Sequence, residues 1–143
     1  MTRLVLDTNV ALAGLLWSNH SRRLLEWAIE ESVFLYSSPA LIEELAHTLA
    51  YPKLAHRMAL LDTTPSAVLA RYSALVSTVS PQHVPRVIAH DADDDQVLAC
   101  ALTAQADLIV SGDKHLHSLG GHYNGIPILT PALAVQQIAK ITR

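Results

Sequence analysis

The chain has 143 residues, half of them apolar and 16% charged, with a formal net charge of −3. This composition predicts a single folded domain over residues 1–143, and it excludes a mainly disordered chain and a strongly basic nucleic-acid binder. No apolar run reaches the roughly 18 residues that a membrane-spanning helix needs, and Asp7 interrupts the start where a secretory signal would be apolar. We therefore expect a cytoplasmic protein without membrane contact. The single cysteine, Cys100, excludes an internal disulfide and a cysteine-based zinc site.

Apolar strand-like runs alternate with helical patterns along the chain. In chain order, the patterns predict strand 3–7, helix 9–16, helix 22–31, strand 33–37, helix 39–50, helix 53–61, helix 65–76, a weak strand within 77–87, helix 92–106, strand 108–111, strand 126–129 and helix 131–141. Ser21 is a predicted N-cap, while Ser38 and Thr64 each precede a proline, which is typical of a helix start. Residues 120–125 are predicted to form a loop.

The order of these elements predicts the fold class. Strands separated by helices imply parallel strands joined by crossover connections. We therefore expect an α/β protein, built as a three-layer α/β/α sandwich with a mostly parallel central sheet. In such a sheet the carboxyl ends of the strands share one edge, and ligands bind there.

Acidic residues are concentrated in one part of the chain. Residues 87–113 contain six aspartates and neither lysine nor arginine. Such a run is often a solvated surface, and aspartate at a helix start commonly acts as a cap. Aspartate in a Ser-Gly-Asp sequence is also common in turns. Each residue taken singly is therefore explained without a function.

Four separate segments nevertheless bring carboxylates to the same predicted edge. Asp7 and Asp113 follow predicted strands, whereas Glu44 and the neighbours Asp94 and Asp95 lie in the first turns of helices that begin there. Clustered carboxylates without basic partners are oxygen ligands for a hard divalent cation such as Mg²⁺ or Mn²⁺. The sequence therefore predicts a metal site at this edge.

Helical periodicity helps to choose among neighbouring carboxylates. At about 100° per residue, Glu44 flanks the inner stripe of its helix, whereas Glu43 points toward solvent. Asp93 also points away from the core. The two aspartates that follow it lie on either side of Leu98, so periodicity leaves the choice between them open.

The eight histidines do not predict a further metal site. His115 and His117 would point in one direction only on a strand, and the segment after Asp113 is predicted to be a turn or a short helix. The other six histidines show no ligand spacing. We therefore do not expect a histidine-based metal site.

Four motifs together resemble the PIN domain family. In chain order they are LDTNV at 6–10, SPALIEEL at 38–45, DDQVLA at 94–99 and IVSGDKHL at 109–116. They occur in the order and at the spacing of the family, and the resemblance extends from about Leu4 to Leu133. The sequence IPILTP at 126–131 is similar to that of the VapC-like toxins of bacterial toxin–antitoxin pairs.

The resemblance implies a Mg²⁺- or Mn²⁺-dependent endoribonuclease that hydrolyses RNA phosphodiesters with metal-activated water. The residues that match the family's four acidic catalytic and metal-binding positions are Asp7, Glu44, Asp95 and Asp113. Asp94 precedes the third of these positions and is an alternative metal ligand, which leaves the position open by one residue. The matching polar residues with supporting roles are Thr8, Asn9 and Ser111.

The resemblance also implies partners. A VapC-like toxin has RNA as its substrate and a cognate antitoxin as its protein partner, and such domains commonly form homodimers. Trp17 and Trp27, in the predicted N-terminal helices, suit either a core or an interface.

Three other functions share parts of this pattern. A phosphatase of the haloacid dehalogenase type also has an aspartate after its first strand, but it requires Asp-x-Asp where this chain has Asp7, Thr8 and Asn9. A receiver-type signalling domain requires its acidic residues in a different order. The main alternative is a non-catalytic PIN-like protein that binds RNA or a protein partner, and the presence of all four carboxylates favours the enzyme over it.

Overall fold

A six-stranded sheet lies at the centre of this computed structural model, which describes residues 1–87 and 92–141. Its strands are β1 Arg3–Leu6, β2 Phe34–Ser37, β3 Ser77–Thr78, β4 Leu108–Val110, β5 His122–Tyr123 and β6 Ile126–Leu129. They lie side by side in the order β3-β2-β1-β4-β6-β5. All neighbouring pairs are parallel except β5 and β6, which are antiparallel. The predicted mostly parallel sheet is confirmed.

Helices flank the sheet, and most begin with a defined cap. In chain order they are α1 Thr8–Leu16, α2 His20–Ile29, α3 Pro39–Leu49, a 3₁₀ turn Pro52–Leu54, α4 Ala55–Leu60, α5 Pro65–Leu75, α6 Ala92–Ala104, α7 Lys114–His117 and α8 Pro131–Ile141. The predicted caps Ser38 and Thr64 each accept a backbone hydrogen bond in the first turn. The predicted cap Ser21 is wrong, because Asn19 accepts the Arg22 N–H and α2 begins before Ser21. Across the described residues, no helix is both long enough and apolar enough to span a membrane.

Two apolar clusters cover the two faces of the sheet. In β1, Leu4 and Leu6 belong to one cluster and Val5 to the other, as the alternation of side chains along a strand requires. The first cluster includes side chains of α1, α2, α4, α5 and α8, whereas the second includes side chains of α6 and α7. This arrangement confirms the predicted three-layer sandwich.

One short strand agrees with the predictions and another does not. The third strand, Ser77–Thr78, lies within the predicted range 77–87, and Pro81 and Pro85 farther along that stretch lack the N–H that a strand ladder uses. The predicted loop contains β5, because Asn124 and Gly125 adopt positive φ angles of 48° and 80° and form a tight turn into β6. An Asn-Gly pair is a strong sequence signal for a hairpin, and the prediction of a loop over residues 120–125 did not take it into account.

The order of the strands creates a crevice at the carboxyl ends of β1 and β4. From β1 the chain continues to β2 on one side, whereas β4 pairs with β1 on the other side. Such a reversal of strand order leaves room for a ligand beyond the strand ends. The Asp7 N–H donates to the Val110 carbonyl oxygen at 3.1 Å, which holds the two strand ends together.

Candidate functional site

Asp7 follows β1 directly and begins α1. Its Oδ1 accepts a hydrogen bond from the Val10 N–H at 2.8 Å, and its Oδ2 accepts one from the Ser111 hydroxyl beyond β4. The residue is only 6% exposed. Burial therefore raises the pKa of Asp7; the hydrogen bonds from Ser111 and Val10 oppose this rise, and the negative charge of Asp113 adds to it. The free-energy cost of keeping the Asp7 carboxylate ionised falls when a cation binds beside it.

Ser111 connects two of the predicted carboxylates. Its hydroxyl donates to Asp7, and its Oγ accepts the Asp113 N–H at 2.9 Å. Asp113 in turn caps α7, since its Oδ1 accepts the His115 N–H at 2.7 Å. His117 Nε2 lies 2.6 Å from the Ser111 carbonyl oxygen, and because a carbonyl only accepts, this nitrogen carries the proton. Backbone N–H groups and the Ser111 hydroxyl thus fix the orientation of the Asp7 and Asp113 carboxylates.

A small acidic cavity lies where these elements meet. The described residues that line it are Asp7, Thr8, Asn9, Glu44, Asp93, Asp94, Val97 and Asp113. Its volume is about 50 Å³, which suits an ion with one or two water molecules. The structure therefore brings together carboxylates that follow β1 and β4 with others from α3 and α6. Asp93 is exposed, as predicted, but it also lies on the rim of this cavity, whereas Glu43 is exposed and absent from its described lining.

Asp95 occupies a different position from the one that the motif match implies. It is absent from the described residues that line the acidic cavity, and its Oδ1 accepts the Val87 N–H at 3.0 Å. Both Asp94 and Asp95 are 6% exposed, so burial alone does not distinguish them. They flank the inner stripe of α6 on opposite sides, and of the two only Asp94 is among the described residues that line the cavity with Asp7. The geometry therefore favours Asp94 for the third acidic position.

His115 joins the site although its sequence pattern did not indicate this. Its Nδ1 lies 3.5 Å from Asp113 Oδ1 and 4.0 Å from Asp94 Oδ2. One potential ligand atom from each of the three residues lies within 4.8 Å of the other two. The missed signal is an aspartate cap followed two residues later by a histidine in the same helical turn.

The chemistry of the lining fits a divalent cation. Thr8 is 7% exposed, and among the described residues its Oγ1 has no hydrogen-bond partner. A buried hydroxyl without a hydrogen bond lowers the free energy of unfolding by about 1–3 kcal/mol. A bound ion or its water would remove this cost. Oxygen donors from carboxylates and a hydroxyl are the set that Mg²⁺ and Mn²⁺ prefer.

Comparison with known proteins identifies the family. A family model described as PIN domain matches residues 3–115, which include every described residue that lines the acidic cavity. The chain belongs to the PIN domain family. This PIN domain is also 27% identical over 118 residues to the uncharacterized protein MJ1680 of Methanocaldococcus jannaschii, and the match covers 82% of this chain and 74% of that protein. The family predicted from the four motifs is confirmed.

Solved structures support the same fold at low sequence identity. The PIN domain is similar to the crystal structure of PAE2754 from Pyrobaculum aerophilum, with a TM-score of 0.61 and 13% identity over 97% of this chain and 90% of that one. It is also similar to a chain in the structure of VapBC2 from Rickettsia felis bound to a DNA fragment from their promoter. Here the TM-score is 0.60, with 12% identity over 90% of this chain and 97% of that one.

Proposed function

We propose that this PIN domain is a Mg²⁺- or Mn²⁺-dependent endoribonuclease. The observation that carries the proposal is the meeting of four carboxylates from separate segments in one cavity: Asp7, Glu44, Asp94 and Asp113. Carboxylates that line one small cavity repel one another and repel a phosphate, and a divalent cation relieves both effects. When bound, such an ion supplies a Lewis acid for the phosphoryl oxygen and lowers the pKa of coordinated water.

The residues of this chain have distinct roles in the proposal. Asp7, Asp94 and Asp113 hold the cation, and Ser111 keeps two of these carboxylates in position through its hydrogen bonds. Glu44, which lines the same cavity, would orient water or bind a second ion.

The acidic cavity adjoins a surface cavity lined by Asn9, Gly112, Asp113, Lys114 and His115. A positive charge there lies beside the carboxylates. Lys114 is exposed in this surface cavity and offers its ammonium group to an RNA phosphate. Phosphate contacts of this kind position a nucleic acid without selecting its sequence. RNA would thus bind at the surface cavity, and its phosphodiester would be hydrolysed at the acidic cavity.

We further propose that this nuclease is the toxin of a bacterial toxin–antitoxin pair and that it acts in the cytoplasm as a homodimer. The motif at residues 126–131 and the fold similarity to the VapBC2 structure support it. An apolar groove of about 470 Å³ lies between α2 and α5, and Ile29 on its border is 69% exposed, which leaves room for a partner chain. A neighbouring reading frame for a small DNA-binding protein would support the pair, and a strict monomer in sedimentation at tens of micromolar would contradict the dimer.

RNA cleavage in the presence and absence of EDTA tests the enzyme. Wild-type protein should cleave RNA with Mn²⁺ and lose this activity in EDTA, and Asp7→Asn should be inactive in both conditions. Asp62→Asn is the matched control, because Asp62 is exposed and outside the described lining of the acidic cavity. Binding of RNA by the wild type without any cleavage would instead support the non-catalytic PIN-like protein.

A further inference from the structure

The ring of His115 faces two carboxylates from different elements. Its Nδ1 lies 3.5 Å from Asp113 Oδ1 and 4.0 Å from Asp94 Oδ2. Both separations exceed the roughly 3.2 Å limit of an ordinary N–H···O hydrogen bond. Two ligand atoms that are each about 2.1 Å from one ion stand at most about 4.2 Å apart. Both separations from His115 are therefore short enough for its Nδ1 and a carboxylate oxygen to bind the same ion.

Backbone hydrogen bonds hold this arrangement in place. The His115 N–H donates to Asp113 Oδ1 at 2.7 Å, and the Asp113 N–H donates to Ser111 Oγ at 2.9 Å. The His115 side chain is 44% exposed, whereas those of Asp94 and Asp113 are 9% and 26% exposed. The imidazole is therefore the most exposed of the three potential ligands.

A separate observation points to a ligand in the same place. Thr8 lines the acidic cavity with Asp94 and Asp113, and among the described residues its buried Oγ1 has no hydrogen-bond partner. This hydroxyl lies outside the group formed by the histidine and the two aspartates. A cation with a coordinated water would satisfy it, whereas an ion pair between His115 and the carboxylates would not.

We propose that His115, which lines the adjoining surface cavity, supplies an imidazole nitrogen to a cation that Asp94 and Asp113 hold at the edge of the acidic cavity, so that the site selects Mn²⁺ over Mg²⁺. The inference rests on the proposed metal dependence and adds a ligand to it. Mn²⁺ and Mg²⁺ both prefer oxygen ligands, but Mn²⁺ is a first-row transition ion and accepts an imidazole more readily than Mg²⁺, which binds through carboxylates and water. Loss of the imidazole should therefore weaken Mn²⁺ binding more than Mg²⁺ binding.

Electron spin-echo spectroscopy of the Mn²⁺-loaded full chain tests the proposal directly. Wild-type protein should show the modulation of a coordinated imidazole nitrogen, and ¹⁵N labelling of histidine should change its frequency. His115→Gln should abolish this signal. His56→Gln is the matched control and should keep it, because His56 is exposed on α4 and, among the described residues, is not part of the group formed by Asp94, Asp113 and His115.

Metal titrations provide the second readout. The Kd for Mn²⁺ should rise at least roughly tenfold in His115→Gln, whereas the Kd for Mg²⁺, measured by competition, should change much less. Mn²⁺ that binds without nitrogen coupling, or equal losses for the two ions, would overturn the histidine ligand and leave the proposed nuclease intact. If neither ion bound the wild type, both proposals would fail. The spectroscopic measurement on the wild type decides the matter without relying on the folding of the variant.

Discussion

The hydroxyl of Ser111 donates a hydrogen bond to the carboxylate of Asp7, a residue 104 positions away in the chain. The parallel register of β1 and β4 accounts for this contact, since Leu6 is paired with Val110 and the next residues of both strands are neighbours. Ser111 also accepts the N–H of Asp113, so one serine orients two carboxylates. Two distant sequence motifs thus form one site because their strands are adjacent.

Replacing Asp7 by asparagine should abolish RNA cleavage without unfolding the protein. Asparagine retains the oxygen that accepts the Val10 N–H and is itself a favoured N-cap, but it removes a negatively charged metal ligand. We expect the melting temperature in EDTA to be unchanged or higher. Asp7→Ala is the informative comparison, because loss of the cap should cost about 1 kcal/mol. An Asn variant with wild-type cleavage would remove Asp7 from the reaction.

The stability of the metal-free protein should depend on pH through Asp7. Burial raises the pKa of this carboxyl, so the folded state binds its proton more tightly than the unfolded state does. The free energy of unfolding should therefore fall as the pH rises from about 4, near the unfolded pKa, through the raised folded value. In urea denaturation with EDTA, the stability of Asp7→Asn relative to the wild type should increase over this window and then level off. A constant difference would show that Asp7 titrates normally.

Among the aspartates of α6, Asp94 should matter most for activity. Asp94 lines the acidic cavity, whereas Asp95 accepts the Val87 N–H. We expect Asp94→Asn to lower cleavage strongly and to raise the Mn²⁺ concentration required, and Asp95→Asn to act mainly on stability. Asp93→Asn should have a small effect, because Asp93 is exposed at the rim. A Mn²⁺ titration of all three variants makes the comparison, and a larger activity loss in Asp95→Asn would restore the order implied by the motif.

Thr8→Val should stabilise the metal-free protein and weaken its response to metal. The substitution removes a buried hydroxyl that has no hydrogen-bond partner among the described residues, which should raise the free energy of unfolding by about 1 kcal/mol. The rise in melting temperature on adding Mn²⁺ should become smaller, because a bound ion or its water loses a partner. Thr8→Ser keeps the hydroxyl and serves as the control. An unchanged metal response in the valine variant would show that the hydroxyl takes no part.

Gly14→Ala should destabilise the protein even though alanine favours helices. A Cβ at residue 14 of α1 would lie 2.8 Å from the backbone oxygen of Ser21 and 2.9 Å from Leu25 Cδ1, so α1 and α2 would have to separate. Overpacking of this kind costs about 1–3 kcal/mol, which exceeds the gain of about 1 kcal/mol in helix propensity. Thermal denaturation should show a lower melting temperature. At Gly112 a Cβ would meet nothing within 4 Å, so Gly112→Ala should leave the melting temperature nearly unchanged.

Much of the architecture followed from local patterns in the sequence. Caps such as Ser38 and Thr64 are short-range features, and the structure contains them as predicted. Asp7 and Asp113 each follow a predicted strand, and because parallel strands share a carboxyl edge, this pattern predicts that the two residues lie close together. The cap at Asn19 was missed because several polar residues precede α2, and only one forms the hydrogen bond.

The amino-acid sequence by itself determined the family, the alternation of strands and helices, and the edge on which the carboxylates gather. Tertiary structure alone decided which neighbour in α6 lines the cavity and that His115 lies beside Asp94 and Asp113 at its edge. Periodicity places Asp94 and Asp95 on opposite flanks of one helix, and the choice between them depends on the rotation of α6 against the sheet. That rotation depends on how α6 packs against β1 and β2, which are distant in the sequence, and helical periodicity does not contain this information. The position of His115 depends in the same way on packing, since α7 must bring its first turn against α6 before the imidazole can approach Asp94.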